Sequence, residues 1–326
     1  MDIVYFNVID ICIAVIIDWI VGDPYWFPHP IIYIGKFIKF LEKKFRSVSK
    51  EEKNLKVYGG FIVIIVAFTS FIVPYLTLKI SNVIPIVYHV VNVIIIWTTI
   101  ACKCLKQEAK KVYTSLENND IEDARIKLSY IVGRETKSLS KDEIIRADVE
   151  TVAENASDGV IAPLFYAMLG GAPLAMMYKG INTMDSMLGY LTKEYKNIGF
   201  FPAKVDDLAN LIPARITGIL MCIMAPVVKG NIIQSLKILK RDRKNHKSPN
   251  CAYPEAATAG AMRVQLGGTN TYFGEVIYKP TIGDKIKKLT KEHIVESIKL
   301  MYASEILMIL IYVITVNIYI YLNFYR

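Results

Sequence analysis

Two stretches, Phe61 to Leu78 and Val83 to Cys102, contain no Asp, Glu, Lys or Arg, and only Ser81, Asn82 and their neighbours separate them. Each is about as long as a helix that crosses the ~30 Å hydrocarbon core of a bilayer, so the pair predicts a transmembrane helical hairpin. Four further apolar runs accompany it. Ile3 to Val21 is interrupted only by Asn7, Asp10 and Asp18, which fall in one narrow arc at about 100° per residue, so this helix is expected to turn its acids inward. Gly159 to Tyr178 is uncharged but broken by Pro163, Gly170, Gly171 and Pro173, and Leu208 to Val228 holds Pro213 and Arg215. Leu300 to Tyr321 has one acid, Glu305, and a Tyr-rich end suited to a membrane interface.

These runs define an all-α, polytopic integral membrane protein with about four to six membrane-embedded helices. With 53% hydrophobic and 21% charged residues in 326, disorder and an ordinary water-soluble domain are both excluded. Lys and Arg outnumber acids 39 to 30, for a net charge of +9, and they concentrate between the apolar runs. Residues 36–58 carry eight Lys/Arg against three acids and residues 229–299 carry fourteen against six, which predicts a cytoplasmic side for both. That distribution explains the charge through lipid, without nucleic acid as a partner. The expected organisation is one membrane-embedded domain over 1–326, with a cytoplasmic helical segment at 103–158 and a cytoplasmic loop segment at 229–299. Charge leaves open whether 159–178 and 208–228 cross fully or fold back. The five cysteines form no CxxC pair, so neither a disulfide framework nor a structural zinc site is expected. The N-terminal run lacks a basic start and a small-residue cleavage site and is expected to be retained.

Ser140 and Glu143 form a potential capping box for a helix starting near Lys141. On that helix Arg146, Glu150, Glu154 and Asp158 recur every four residues, stacking a guanidinium and three carboxylates on one face. The stripe is either a solvated surface or, because it runs into the apolar segment at 159–163, a magnesium site at Glu150, Glu154 and Asp158. Asn182, Asp185 and the pair Asp206-Asp207 flank a short loop and form either a helix cap or a polar wall. Arg215 inside an apolar run calls for an acid or an anionic ligand, with Asp207 on a similar helical face. Residues 241–268 gather Arg241, Arg243, His246, Ser248, Asn250, Pro254-Glu255, Ala259-Gly260-Ala261, Gly267 and Gly268. Arginine forks and glycine N–H groups suit phosphate, so this segment is either a phosphate-binding loop or a basic loop held by headgroups. His29, between two prolines, reads as a helix stop. Walker, GxGxxG, HExxH and GxSxG motifs are missing.

Gly22-Asp23-Pro24 with Pro28-His29-Pro30, Gly133-Arg134-Glu135-Thr136, Val149 to Asn155 with Asp158 and Ala162-Pro163-Leu164-Phe165 resemble blocks of the cobalamin-biosynthesis CbiB/CobD membrane family. Asn182 to Tyr190, Asp206 to Asn210 with Pro213-Ala214-Arg215, and Arg241 to Gly268 follow in the same order, so the resemblance spans roughly residues 18 to 300. Cys251-Ala252-Tyr253 and Met262-Arg263 depart from it, where Gly at the middle position and Leu-Gly are expected. The resemblance implies an ATP-dependent acid–amine ligase of the adenosylcobinamide-phosphate synthase type, joining aminopropanol phosphate or a related amino alcohol to adenosylcobyric acid with Mg2+. It implies Glu150, Glu154 and Asp158 as metal- or amine-orienting acids and Arg134, Arg241 and Arg243 as phosphate clamps. His246 or His29 would be the base. Asn155, Asn182, Asp185, Asp207, Arg215, Ser248, Asn250, Gly267 and Gly268 would complete the substrate- and phosphate-binding set. The expected location is the cell membrane, multi-pass, with the main polar loops cytoplasmic. The alternatives are a transporter for an anionic or corrinoid solute, using Asp10, Asp18, Arg215 and Glu305 as a polar path, and a non-enzymatic membrane sensor of a related branch. The dense arginine and glycine segment favours the ligase.

Overall fold

In the computed structural model, residues 2–24, 26–49, 51–272 and 275–324 are described. The chain begins with α1 (Asp2–Ile20), α2 (Pro30–Val48), α3 (Glu52–Ser81) and α4 (Pro85–Trp97), followed by α5 (Cys102–Glu117), α6 (Ile121–Ser129) and α7 (Lys141–Ala156). A π-helical turn, Ser157–Ile161, joins α7 to α8 (Ala162–Leu188). Then come α9 (Phe200–Ala209), α10 (Leu211–Ile223), a 3-10 turn at Ala225–Val228, α11 (Ile232–Asp242) and α12 (Ala252–Met262). A hairpin of β1 (Gln265–Tyr272) and β2 (Glu275–Gly283) precedes the long α13 (Glu292–Phe324). Among the described residues four helical stretches are long and apolar enough to cross a membrane: Glu52–Ser81, Pro85–Glu117, Lys141–Leu188 and Glu292–Asn323. The protein is an all-α polytopic membrane protein.

Where the sequence suggests one domain, the chain folds as two interleaved units. The first holds Met1–Ala101, Ala162–Asn210 and Tyr312–Arg326, and the second Cys102–Ile161 and Leu211–Ile311.

In the first unit α3 and α4 form the expected hairpin around Asn82. Thr69, Thr77 and Ser81 donate their hydroxyls to carbonyls four residues back, which satisfies them inside an apolar helix. Ile62, Val63 and Val66 of α3 pack on Ile38 and Leu41 of α2 and on Ile181, Met184 and Leu188 of α8. Gly180 permits the closest approach, since a Cβ there would collide with Ser70. The acids of α1 do turn inward: Asp10 and Asp18 are buried, and Asp10 accepts from Asn92 Nδ2 at 2.7 Å and faces His89 Nδ1 at 3.0 Å.

α8 is two rods rather than one. Gly170 (φ −152°, ψ 27°) and Gly171 (φ 65°, ψ −161°) leave helical geometry, and the Gly171 conformation is open essentially to glycine alone. Beside the break, Asn7 Nδ2 donates to the Ala167 carbonyl at 3.4 Å and meets Tyr312 Oη at 3.3 Å. The uncharged run 159–178 is therefore not one straight crossing. Nor is 208–228, because α10 has 13 residues, about 20 Å of rise against a ~30 Å core.

In the second unit the capping box forms as expected: Ser140 N–H donates to Glu143 Oε2 at 2.8 Å and Glu143 N–H to Ser140 Oγ at 3.4 Å. The segment expected to be a loop at 229–299 is largely ordered structure. Its Ala259-Gly260-Ala261 stretch lies in α12, whose residues from Pro254 to Met262 are all buried. Small side chains let α12 approach α11, and a Cβ on Gly260 would lie 2.8 Å from Ser235 Cα. The antiparallel hairpin pairs Leu266 with Ile282 and Thr269 with Tyr278, with an irregularity between Leu266 and Gly268.

Candidate active site

The acid stripe of α7 divides into two parts with different partners. Glu150 lies between two guanidinium groups: it pairs with Arg134, stands 3.8 Å from Arg146, and accepts the Gly267 N–H at 2.8 Å. Arg134 and Glu150 are 7% and 6% exposed, so neither is free to meet a solvated ion. Arg146 also donates to the Thr269 carbonyl at 2.9 Å, so the knot ties the base of the hairpin to α7. Gly267 (φ 77°) and Gly268 (φ 91°) occupy left-handed geometry at the strand irregularity, and a Cβ on Gly268 would meet Arg146 Nη1 at 3.1 Å. Their backbone role in the hairpin accounts for both glycines, and the Gly267 N–H faces Glu150 rather than a phosphate.

One turn on, Glu154 makes no ion pair with an arginine among the described residues. Its Oε1 accepts from the Cys251 thiol at 3.0 Å. Asp158 follows in the π turn, which inserts one residue into the helical ladder and shifts the stripe. Burial, then the negative charges of Glu154, Asp158 and Glu255, push the Cys251 thiol well above its ordinary range, while a hydrogen bond with Ser248 opposes the shift. The cluster thus gathers three carboxylates around one thiol. Glu255, buried on α12, joins it without having been singled out from the sequence as a site residue. The only signal was its place in the first turn of an alanine-rich helix.

The segment that delivers Cys251 is a run of polar turns. The His246 Nδ1 accepts the Ser248 N–H at 3.0 Å, and Ser248 Oγ accepts the Asn250 N–H at 3.2 Å. The Asn250 side chain accepts from Arg215 Nη1 at 3.3 Å, and the Arg215 guanidinium lies 4.4 Å from the centre of the Tyr253 ring. Arg215 finds an amide and an aromatic face, and Asp207 meets Lys204 at 3.5 Å.

The two arginines at the start of this segment differ. Arg241 grips Asp242 with two bonds of 2.7 and 2.8 Å and reaches Asp284 at 2.8 Å. Burial would raise the Asp242 carboxyl, yet Arg241 and the Gly283 N–H outweigh it and hold it below the usual range. Arg241 is therefore a strut between α11 and β2. Arg243, capping the C-terminus of α11, makes no side-chain hydrogen bond or ion pair among the described residues, and is half-buried. Asn155 donates to the Thr151 carbonyl of its own helix at 3.0 Å. His29 caps α2 through Ile31 N–H at 3.3 Å and faces Asp23 at 3.5 Å.

The remaining residues form a separate set in the first unit. Asp206, buried on α9, accepts from Asn182 Nδ2 at 3.2 Å and Asn210 Nδ2 at 3.1 Å. Tyr178 donates to Asn210 Oδ1 at 2.8 Å, and Tyr166 stacks on Tyr178 with centres 5.0 Å apart. Burial first, then the Asp185 and Asp207 carboxylates, push the Asp206 carboxyl up to about 7 against the two amides. The sequence reading singled out Asp207, whereas the inward carboxylate is Asp206. The usable signal is Asn210, four residues on and so on the same face of the helix.

An apolar multi-span helical fold that holds one carboxylate–thiol cluster and one amide-held acid set defines a polytopic membrane protein with buried polar groups in each unit. The family described as CobD/Cbib protein matches residues 11–301. The cobalamin biosynthesis protein CobD of Clostridium acetobutylicum is 66% identical over 308 residues, covering 94% of this chain and 98% of that protein. CobD of Clostridium tetani is 62% identical over 313 residues, 96% and 99% of the two chains. CbiB of Salmonella typhimurium is 44% identical over 297 residues, 91% and 93%. This chain belongs to the CobD/CbiB family. No solved structure matches it.

Proposed function

We propose that the chain acts in cobalamin biosynthesis at the cell membrane. It would form an amide between the free propionate of adenosylcobyric acid and aminopropanol phosphate, or a related amino alcohol, at the expense of ATP. The observation that carries this reading is the gathering of the Glu154, Asp158 and Glu255 carboxylates around Cys251, at the end of the polar segment that begins at Arg243, which makes no ion pair among the described residues.

A carboxylate is a poor electrophile. In this reading its oxygen attacks the γ-phosphorus of ATP, the bond from that phosphorus to the bridging oxygen breaks, and an acyl phosphate and ADP result. The amine, once its ammonium has lost a proton, attacks the acyl carbon and phosphate departs. Arg243 would take the charge of phosphate oxygens through its fork. Glu154 and Asp158 would hold the ammonium or the metal face of the nucleotide. A divalent magnesium ion would fit the gathered carboxylates of Glu154, Asp158 and Glu255 better than Glu150, which two arginines engage. Bound magnesium would supply charge neutralisation on the polyphosphate. His246, whose Nδ1 accepts the Ser248 N–H, is the candidate base, with that nitrogen taking up the proton once the bond is released. The polar segments would face the cytoplasm, where ATP is.

The transporter reading draws on the broken α8 and the buried Asp10. Its polar groups are already engaged, Asp10 by His89 and Asn92 and the Ala167 carbonyl by Asn7, so it is the weaker reading. The test is incubation of purified membranes with adenosylcobyric acid, ATP, magnesium and each amine, with the amide product read by mass. Product with one amine is the expected result. No product with any amine, while ATP still binds, overturns the ligase.

A further inference from the structure

α2 has two unlike faces. One, with Ile38 and Leu41 buried and Ile34, Phe37 and Phe45 partly so, packs on α3 and α8. The helix is held at the end of the bundle where α3 begins, since Phe45 stacks on Tyr58 and Phe61, and Gly35 lies against Met187 near the end of α8. There the charged first turn of α3, with Glu52, Lys53 and Lys56, gives way to its apolar run. That is the level of a lipid boundary.

The opposite face is exposed and mixed. Ile32, Tyr33 and Phe40 are 50%, 59% and 59% exposed, and Lys36, Lys39, Lys43 and Lys44 are exposed among them. At 100° per residue these seven side chains fall within about 140° of the helix circumference. None of the four lysines makes an ion pair among the described residues, because the nearby acid Glu42 is engaged by Arg46 at 2.9 Å. Lys36 lies 5.7 Å from the centre of the Tyr33 ring, an ammonium beside an aromatic at the same height.

We propose that the outer face of α2 is a docking surface for anionic phospholipid, with Tyr33 and Phe40 entering the acyl boundary and Lys36, Lys39, Lys43 and Lys44 meeting headgroup phosphates. An interfacial helix needs both components, apolar side chains to enter the boundary and unpaired cations whose stems reach to the headgroups. A soluble polyanion would have no use for the three large apolar side chains, and a neutral bilayer none for the four unpaired lysines. The surface stands apart from the proposed chemistry and its test does not depend on it.

The experiment uses the full chain in detergent, equilibrated with equimolar phosphatidylglycerol and phosphatidylcholine and read by native mass spectrometry. The expected preference for phosphatidylglycerol is about tenfold or more. It falls to parity when Lys36, Lys39, Lys43 and Lys44 are all replaced by Gln, and survives Lys285→Gln with Lys287→Gln and Lys288→Gln. A diazirine-bearing phosphatidylglycerol on the unaltered protein labels residues 32–44, a readout that needs no variant to fold. An unchanged preference in the quadruple variant, labelling spread evenly over the chain, or displacement of the lipid by millimolar inorganic phosphate overturns the proposal.

Discussion

The two units each gather three carboxylates, and they relieve the resulting repulsion in different ways. In the first unit Asp206 is clasped by two amides and crowded by Asp185 and Asp207, and its own proton affinity rises until it titrates at about 7. In the second, Glu154, Asp158 and Glu255 surround Cys251, and the neighbouring thiol is the group whose proton is held. A buried acid that can take up a proton suits proton transfer, whereas carboxylates gathered about one point suit a cation. A third arrangement lies one helical turn from Glu154: Glu150 is matched by arginines, and that match serves structure.

Replacing Glu154 with Gln separates these cases most sharply. Turnover falls by roughly a hundredfold or more while thermal unfolding in detergent is little changed. Glu150→Gln should do the reverse in part, because it removes the carboxylate that the buried Arg134 and the half-buried Arg146 share. It is expected to cost about 3 kcal/mol of stability, read from the unfolding midpoint. Equal loss of activity at unchanged stability in both variants would break the division of the stripe. Next in size, Arg243→Ala raises the KM for the phosphorylated substrates by about tenfold, and Arg241→Ala lowers the unfolding midpoint without a comparable change in KM.

Asp206 makes a pH prediction. Its carboxyl takes up a proton in the folded chain near 7, above its ordinary 3.8, so the folded state binds more protons than the unfolded one between those values. Stability from this group is present at low pH and is lost as pH rises from about 4 to 7, at up to about 1.4 kcal/mol per unit. Unfolding curves across that range should slope accordingly, and Asp206→Asn should flatten the slope. The smallest effect concerns Cys251. With its proton held, it should alkylate slowly with a maleimide at pH 8, and Glu154→Gln should quicken labelling by a few-fold.

Much of this was legible in residue order. The hairpin of α3 and α4, the inward acids of α1 and the capping box of α7 follow from periodicity and local chemistry, which act within a turn or two. The partners of the charged groups were not, because each depends on residues far along the chain. Glu150 meets Gly267, Glu154 meets Cys251 and Arg241 meets Asp284. The stripe was visible, but its division was not. The hairpin at 265–283 is hidden in the sequence because Gly267, Gly268 and Pro280 interrupt the alternation a strand would show. α12 is hidden for a related reason, since runs of Ala and Gly serve equally as a loop near an anion and as the thin side of a close helix pair.

The break at Gly170–Gly171 bears on how the chain is put together. Asn7, near the start of the chain, reaches both the Ala167 carbonyl beside the break and Tyr312 near the chain's end. The first contact needs only α1 and α8, whereas the second waits until most of α13 has been synthesised.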